Sequence, residues 1–291
     1  MYTATLLTSP EKPLLDTVLV ENLRSAWGGG DIKWLSVNEA AEFSLAAIPD
    51  NFWDNWSTLQ AMGVDLAIQL AADRKKKMIL ADMDSTMIQQ ECIDELADEA
   101  GVGVKVADIT ARAMNGELEF DAALRERVGM LTGLEISVID TVISNRITLM
   151  PGAKTLVATM KAQDNYAALV SGGFTAFTGY ISKVLGFDEH RANTFLMADG
   201  YLTGQVADPI LGRDAKVTAL NEISTRLGIT VDQVIAVGDG ANDLGMLQLA
   251  GAGVALHAKP SVAAKCDIRI NHGDLTALLY LQGYSCDEFI N

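Results

Sequence analysis

Met78-Ile79-Leu80-Ala81 carries no polar side chain and stops at two carboxylates, Asp82 and Asp84, two residues apart. A short apolar run bounded in this way reads as a strand buried on both faces, the kind found in parallel sheets with helices on either side. Comparable runs lie at 166–170, 233–237, 253–256 and 267–270, with helical patterns at 153–163, 175–185 and 215–227 between them. The alternation predicts an α/β fold, a doubly wound, Rossmann-like parallel sheet. In such sheets ligands bind outside the carboxyl ends of the strands, which is where Asp82 and Asp84 stand.

The chain ahead of that run follows another plan. Strand candidates lie at 2–8, 32–37 and 64–70, apolar residues alternate at 41–47, and Leu15, Leu19 and Leu23, and then 52–62, keep helical spacing. The order β-α-β-β-α-β predicts an α+β ferredoxin-like module, with 41–47 as a half-buried strand. Arg74-Lys75-Lys76-Lys77 reads as a solvated linker, because runs of like charge stay exposed. The expected division is a ferredoxin-fold unit over 1–72 and a catalytic unit over 73–291. Residues 88–147 lack a strand signal and are rich in Glu, Ala and Leu, which predicts an inserted helical cap. Asp199-Gly200, between 194–197 and 201–206, predicts a hairpin forming an antiparallel edge of the main sheet.

Charge excludes one class of partner. Among 291 residues, 22 Lys and Arg face 38 Asp and Glu, a net charge of −16, so the surplus cations that neutralise a nucleic-acid backbone are missing. The most apolar stretch, 246–258, is interrupted by Gln248 and is shorter than the roughly 18 residues of a membrane span, so no membrane partner is expected. Residues 1–15 have no basic flank of a signal peptide, and Cys92, Cys266 and Cys286 read as reduced thiols, so the expected location is cytoplasmic.

The chemistry resides in four short pieces. One carboxylate of Asp82-Met83-Asp84 can attack phosphorus while the other handles a proton. A calcium loop is excluded, since Met87 and Ile93 occupy the positions that require Gly and Glu. Gly238-Asp239-Gly240-Ala241-Asn242-Asp243 has Asp where a dinucleotide fingerprint needs its third Gly. Val170-Ser171-Gly172-Gly173 offers a hydroxyl and backbone N–H groups to an anion, and Lys216 a point charge. Four acids converging on one sheet edge repel by about 4 kcal/mol per pair at 4 Å and an effective dielectric near 20. A divalent cation is therefore required, and an all-oxygen donor set favours Mg²⁺. Together these parts predict phosphoryl transfer. His190, His257 and His272 fall outside every motif and are expected to be structural or on the surface.

This ordered series, Asp82-x-Asp84-x-Thr86, Ser171, Lys216 and 238–243, resembles the haloacid dehalogenase superfamily, and 78 to about 275 resembles its phosphoserine phosphatases. The resemblance implies Asp82 as nucleophile and Asp84 as acid and base. It implies Mg²⁺ on Asp82, the Asp84 backbone carbonyl and Asp239, with Thr86 and Asp243 behind them. Ser171, Gly172 and Lys216 would bind phosphoryl oxygens, with Asn242 nearby. Glu91 would take the ammonium of O-phospho-L-serine, Arg127 would grip its carboxylate, and Met114 and Phe120 stand at further substrate-recognition positions. The N-terminal unit resembles an ACT-like domain in element order. It could bind an amino acid, join two copies as a homodimer, or merely pack on the catalytic domain. Alternatives to phosphoserine hydrolysis are the same chemistry on phosphothreonine or phosphohomoserine, transfer to an alcohol, and an amino-acid sensor with a relic catalytic domain.

Overall fold

The structure is a computed structural model describing residues 1–114 and 117–290, without the side chains of Ala113 and Met114. The first unit runs β1 (Tyr2–Thr8), α1 (Thr17–Ala26), β2 (Lys33–Ser36), β3 (Ala40–Leu45), α2 (Phe52–Ala61) and β4 (Val64–Leu70). Its antiparallel sheet has the order β2-β3-β1-β4, the ferredoxin-like arrangement expected from the element order. Asp16 starts α1 by accepting a hydrogen bond from the Val18 N–H at 3.0 Å, which satisfies one of the free donors of the first turn. Ala4, Leu6, Phe43 and Leu66 bury one sheet face against α1 and α2. Leu7, Ala40 and Ala67 bury the other in the core of the second unit.

That second face corrects two expectations. In β3 only Ser44 is exposed, and Glu42 is buried rather than solvated, held by Arg74 through Nη1–Oε2 at 2.8 Å and Nη2–Oε1 at 3.2 Å. The basic run is not a solvated linker throughout. Arg74 pairs as described, and Lys76 is buried and donates to the Asp232 carbonyl at 2.7 Å. Run-length rules fail here because the run crosses the seam between two packed units.

The second unit opens with β5 (Met78–Ala81), followed by the cap helices α3 (Cys92–Glu99), α4 (Gly103–Met114), α5 (Phe120–Gly129) and α6 (Ser137–Asn145). It continues with α7 (Ala153–Ala162), β6 (Tyr166–Phe174), α8 (Thr175–Leu185), β7 (Glu189–Asn193), β8 (Phe195–Ala198), β9 (Tyr201–Val206) and α9 (Arg213–Leu227). The chain closes with β10 (Val234–Gly238), α10 (Leu244–Leu249), β11 (Ala252–Leu256), α11 (Pro260–Ala263), β12 (Ile268–Ile270) and α12 (Ala277–Leu281). Six parallel strands lie in the order β12-β11-β10-β5-β6-β7. Alternate residues feed two cores: Ile79, Ala81, Ile235 and Val237 face one, and Met78, Leu80, Val234 and Ala236 face the other. Burial on both faces is why these strands read as unbroken apolar runs.

The hairpin expected at the sheet edge lies elsewhere. β8 and β9 form a two-stranded sheet of their own, and the six-stranded sheet ends at the parallel strands β12 and β7. The hairpin instead bonds the cap, with Gly133 N–H to Leu202 O at 2.8 Å, Leu202 N–H to Leu134 O at 2.9 Å and Ile136 N–H to Gly200 O at 3.0 Å. The base of the cap is zipped where the chain enters and leaves it, with Gln89 N–H to Thr148 O at 3.0 Å and Met150 N–H to Met87 O at 2.9 Å. No helix among the described residues is long and apolar enough to cross a membrane.

Candidate active site

β10, β5 and β6 are neighbours at the centre of the sheet, with Ala81 opposite both Val237 and Leu169. Their carboxyl ends therefore bring Asp82, Ser171 and Asp239 to one edge. Ser85 turns the chain with φ +54°, a left-handed conformation uncommon for a residue with a side chain, and Thr86 and Met87 N–H close the turn on Met83 O at 3.2 and 2.8 Å.

Asp82 is 5% exposed and Lys216, 1% exposed, reaches it from α9 at 2.7 Å. The same ammonium touches Asp243 at 2.5 Å. Burial works to lower the Lys216 pKa, but Asp243 and Asp82 outweigh it and hold the ammonium charged. Burial and Asp243 push the Asp82 carboxyl up, against the pull of Lys216. Asp239 rises to about 6 through burial and the nearby Asp243 and Glu91 charges. Thr86 Oγ1 donates to Asp239 at 3.3 Å, and Gly240 N–H to Asp243 at 2.9 Å.

Asp84 is turned differently. Its Oδ1 accepts the Cys92 N–H at 3.1 Å, at the start of α3, and burial with the neighbouring Glu91 charge raises its pKa to about 7. Gly173 lets Asp84 sit close, since a Cβ there would be 2.6 Å from Asp84 Oδ2. The two carboxyls thus differ in environment, one ion-paired and the other poised to carry a proton near neutrality.

Oxygen atoms of Asp82, Asp239 and Asp243 lie within 4.8 Å of one another, the one such acidic group among the described residues. Three carboxylates against one ammonium leave an excess of negative charge, and an all-oxygen donor set of this kind fits a hard divalent cation. Asp243, expected behind the ligands, contributes an oxygen to this group while its other contact is the Lys216 ammonium.

The cap supplies the other side. Glu91 caps the start of α3 and accepts the Ser85 hydroxyl at 2.8 Å; it opens to solvent, yet surrounding protein atoms desolvate its carboxyl and raise its pKa. Arg127, half-buried on α5, donates weakly to Ala123 O at 3.4 Å and lies in the field of Asp94, Glu91 and Asp84. Phe120 reaches down to the sheet edge, so that a Cβ on Gly172 would meet its ring at 3.4 Å and one on Gly212 at 3.2 Å. Asn242 Nδ2 is 4.0 Å from the same point on Gly172. The side chain of Met114, the last residue of α4, lies outside the described residues.

The sequence reading missed three residues here. Cys92 orients Asp84 through its backbone, Asp94 faces Arg127, and the Lys259 charge reaches Glu91 and Asp239. Only Asp94 carried a signal, one helical turn from Glu91. The three histidines are structural as expected: His190 bonds Thr178 at 2.9 Å, His257 bonds Gly273 O at 2.8 Å and His272 bonds Gln60 O at 3.0 Å.

The model of the haloacid dehalogenase-like hydrolase family matches residues 79–248. A phosphoserine phosphatase from Streptomyces coelicolor is 42% identical over 230 residues, which are 78% of this chain and 56% of that protein, so the chain spans little over half of that relative. A HAD family hydrolase from Salmonella enterica serovar Typhi superposes with TM-score 0.86 at 32% identity, covering 97% of this chain and 98% of that one. The phospho-aspartyl intermediate analogue of a phosphoserine phosphatase superposes with TM-score 0.66 at 42% identity, over 71% of this chain and 98% of that one.

Proposed function

Because the chain belongs to the haloacid dehalogenase-like hydrolase family, we propose that it is a Mg²⁺-dependent phosphoserine phosphatase that releases L-serine and phosphate from O-phospho-L-serine. The observation carrying this reading is the geometry of the two acids, Asp82 ion-paired with buried Lys216 at 2.7 Å and Asp84 turned to the Cys92 N–H at 3.1 Å. The phospho-aspartyl analogue described for a relative supports a covalent route.

Asp82 attacks phosphorus as its bond to the serine oxygen breaks, and Asp84 gives its proton to that oxygen. Water then attacks the aspartyl-phosphate, Asp84 takes a proton back, and Asp82 and inorganic phosphate are released. Ser171, Gly172, Lys216 and Asn242 hold phosphoryl oxygens through these steps. A Mg²⁺ ion on Asp82, the Asp84 carbonyl and Asp239, supported by Asp243 and Thr86, would offset the charge of these acids and the phosphate. Arg127 takes the substrate carboxylate as a planar fork and Glu91 its ammonium, with Phe120 closing the space above, and Met114 is a further residue that the family resemblance assigns to substrate recognition. Free thiols at Cys92, Cys266 and Cys286 fit a reducing compartment such as the cytoplasm.

The test is phosphate release from L-phosphoserine, phosphothreonine and an aryl phosphate, with Mg²⁺ and with chelator. Preference for L-phosphoserine, lost with chelator and reduced about 100-fold in Arg127→Ala while the aryl phosphate is still cleaved, is the expected result. Equal loss on every ester would remove Arg127 from the specificity pocket.

A further inference from the structure

We propose that Asn193, at the end of the edge strand β7, is a positioning residue that sets the two phosphoryl-binding arms of this site, the Ser171 loop and the Lys216 helix, relative to each other. The inference rests on the phosphatase reading above. Asn193 is 2% exposed. Its Nδ2 donates to Gly172 O at 2.9 Å and to Leu211 O at 3.2 Å, and its Oδ1 accepts Leu211 N–H at 2.7 Å.

Each bond has a consequence in the site. The β6–β7 ladder shifts register between Val170 and Phe174, so Ser171-Gly172-Gly173 leaves regular pairing there. The Gly172–Gly173 peptide is held instead at both ends, its carbonyl by Asn193 and its N–H by Ser171 Oγ at 2.8 Å. With its oxygen already accepting that N–H, the Ser171 hydroxyl has its own proton left to donate, which is what a phosphoryl oxygen requires. On its other side Asn193 grips both polar groups of the Leu211 backbone. Leu211 precedes Gly212, the N-cap of α9, and α9 carries Lys216 to Asp82 and Asp243. One buried amide therefore fixes the hydroxyl arm and the ammonium arm together, and no water is needed between them.

Asn193→Asp keeps the size and the acceptor for Leu211 N–H, but turns an oxygen toward two carbonyls. In the full chain with Mg²⁺, this variant is expected to lower kcat on phosphoserine about 100-fold and weaken inorganic phosphate about tenfold, as direct binding and as inhibition. Inhibition by L-serine, which reports the Glu91 and Arg127 side, is expected to stay within about twofold. Phosphate and L-serine weakening together, or phosphate binding unchanged, would overturn the proposal. If the aspartate variant does not fold, Asn193→Ser, whose hydroxyl reaches at most one carbonyl, is read in the same way. A wild-type chain that binds phosphate but releases none from phosphoserine sinks the functional reading alone, since the phosphate arm still decides the role of Asn193. A chain that does neither sinks both.

Discussion

Asp82 and Asp243 share one buried ammonium at the head of the sheet, and beside them Asp239 and Asp84 couple their titration to folding. Asp239 and Asp84 titrate near about 6 and 7 instead of at 3.8, chiefly through burial. A carboxyl raised in this way favours the folded protein while protonated. That contribution is complete below about pH 4 and is lost as pH rises through 6 and 7. The melting temperature of chelated protein should therefore fall between pH 5 and 8, and a divalent cation should restore more of it at pH 8 than at pH 5. A melting temperature independent of pH would refute the assignment. Asp84→Asn retains shape without a transferable proton, so turnover should drop about 100- to 10,000-fold with phosphoserine affinity within a few-fold, measured by steady-state and binding assays. The acids were legible from their place after apolar runs. The burial of Lys216 was not, because an isolated lysine is ordinarily solvated and only the cover over α9 removes its water.

At the scale of elements, the position of Asp243 in the acidic cluster depends on how closely α10 approaches β11. A Cβ on Gly253 would land on the Leu247 carbonyl oxygen, and one on Gly251 on the Asp232 carbonyl oxygen. Backbone cannot yield as a flexible side chain can, so Gly253→Ala should displace α10, which begins directly after Asp243. The expected result is a loss of about 3 kcal/mol in denaturant unfolding together with weaker divalent-cation binding by calorimetry; unaltered cation affinity would separate the helix from the site. The central strands were readable from sequence, as was α8 with its full span, whereas the short buried helices α10 and α12 were not. β7 was not, since Glu-His-Arg-Ala-Asn has no apolar run and its charges are spent on pairs such as Arg191 with Glu189 at 2.7 Å. The hairpin was found but misassigned, because Asp199-Gly200 specifies a turn and says nothing about which backbone the outer strand will meet.

Across the whole molecule, one buried residue joins the two units. Asp65 on β4 is 0% exposed and accepts Gln60 Nε2 at 3.0 Å, then Asn271, His272 and Gly273 N–H at 3.0, 2.9 and 2.8 Å, just past β12. Arg269 adds a contact over the Trp53 ring at 4.1 Å. Asp65→Ala leaves three backbone donors without their acceptor and should cost about 3 kcal/mol, splitting one unfolding transition into two as the N-terminal sheet comes free; a single unshifted transition in urea would show that the units are not coupled through this residue. By itself the sequence determined the period of most helices and central strands, the two sheet types and the acids at the strand ends, because run length and strand order act within short stretches of chain. The tertiary structure alone decided that Glu42 and Lys76 are buried and that the hairpin joins the cap. Loss of water around a charge, and the partner that compensates it, depend on segments far apart in the chain, and no local pattern records them.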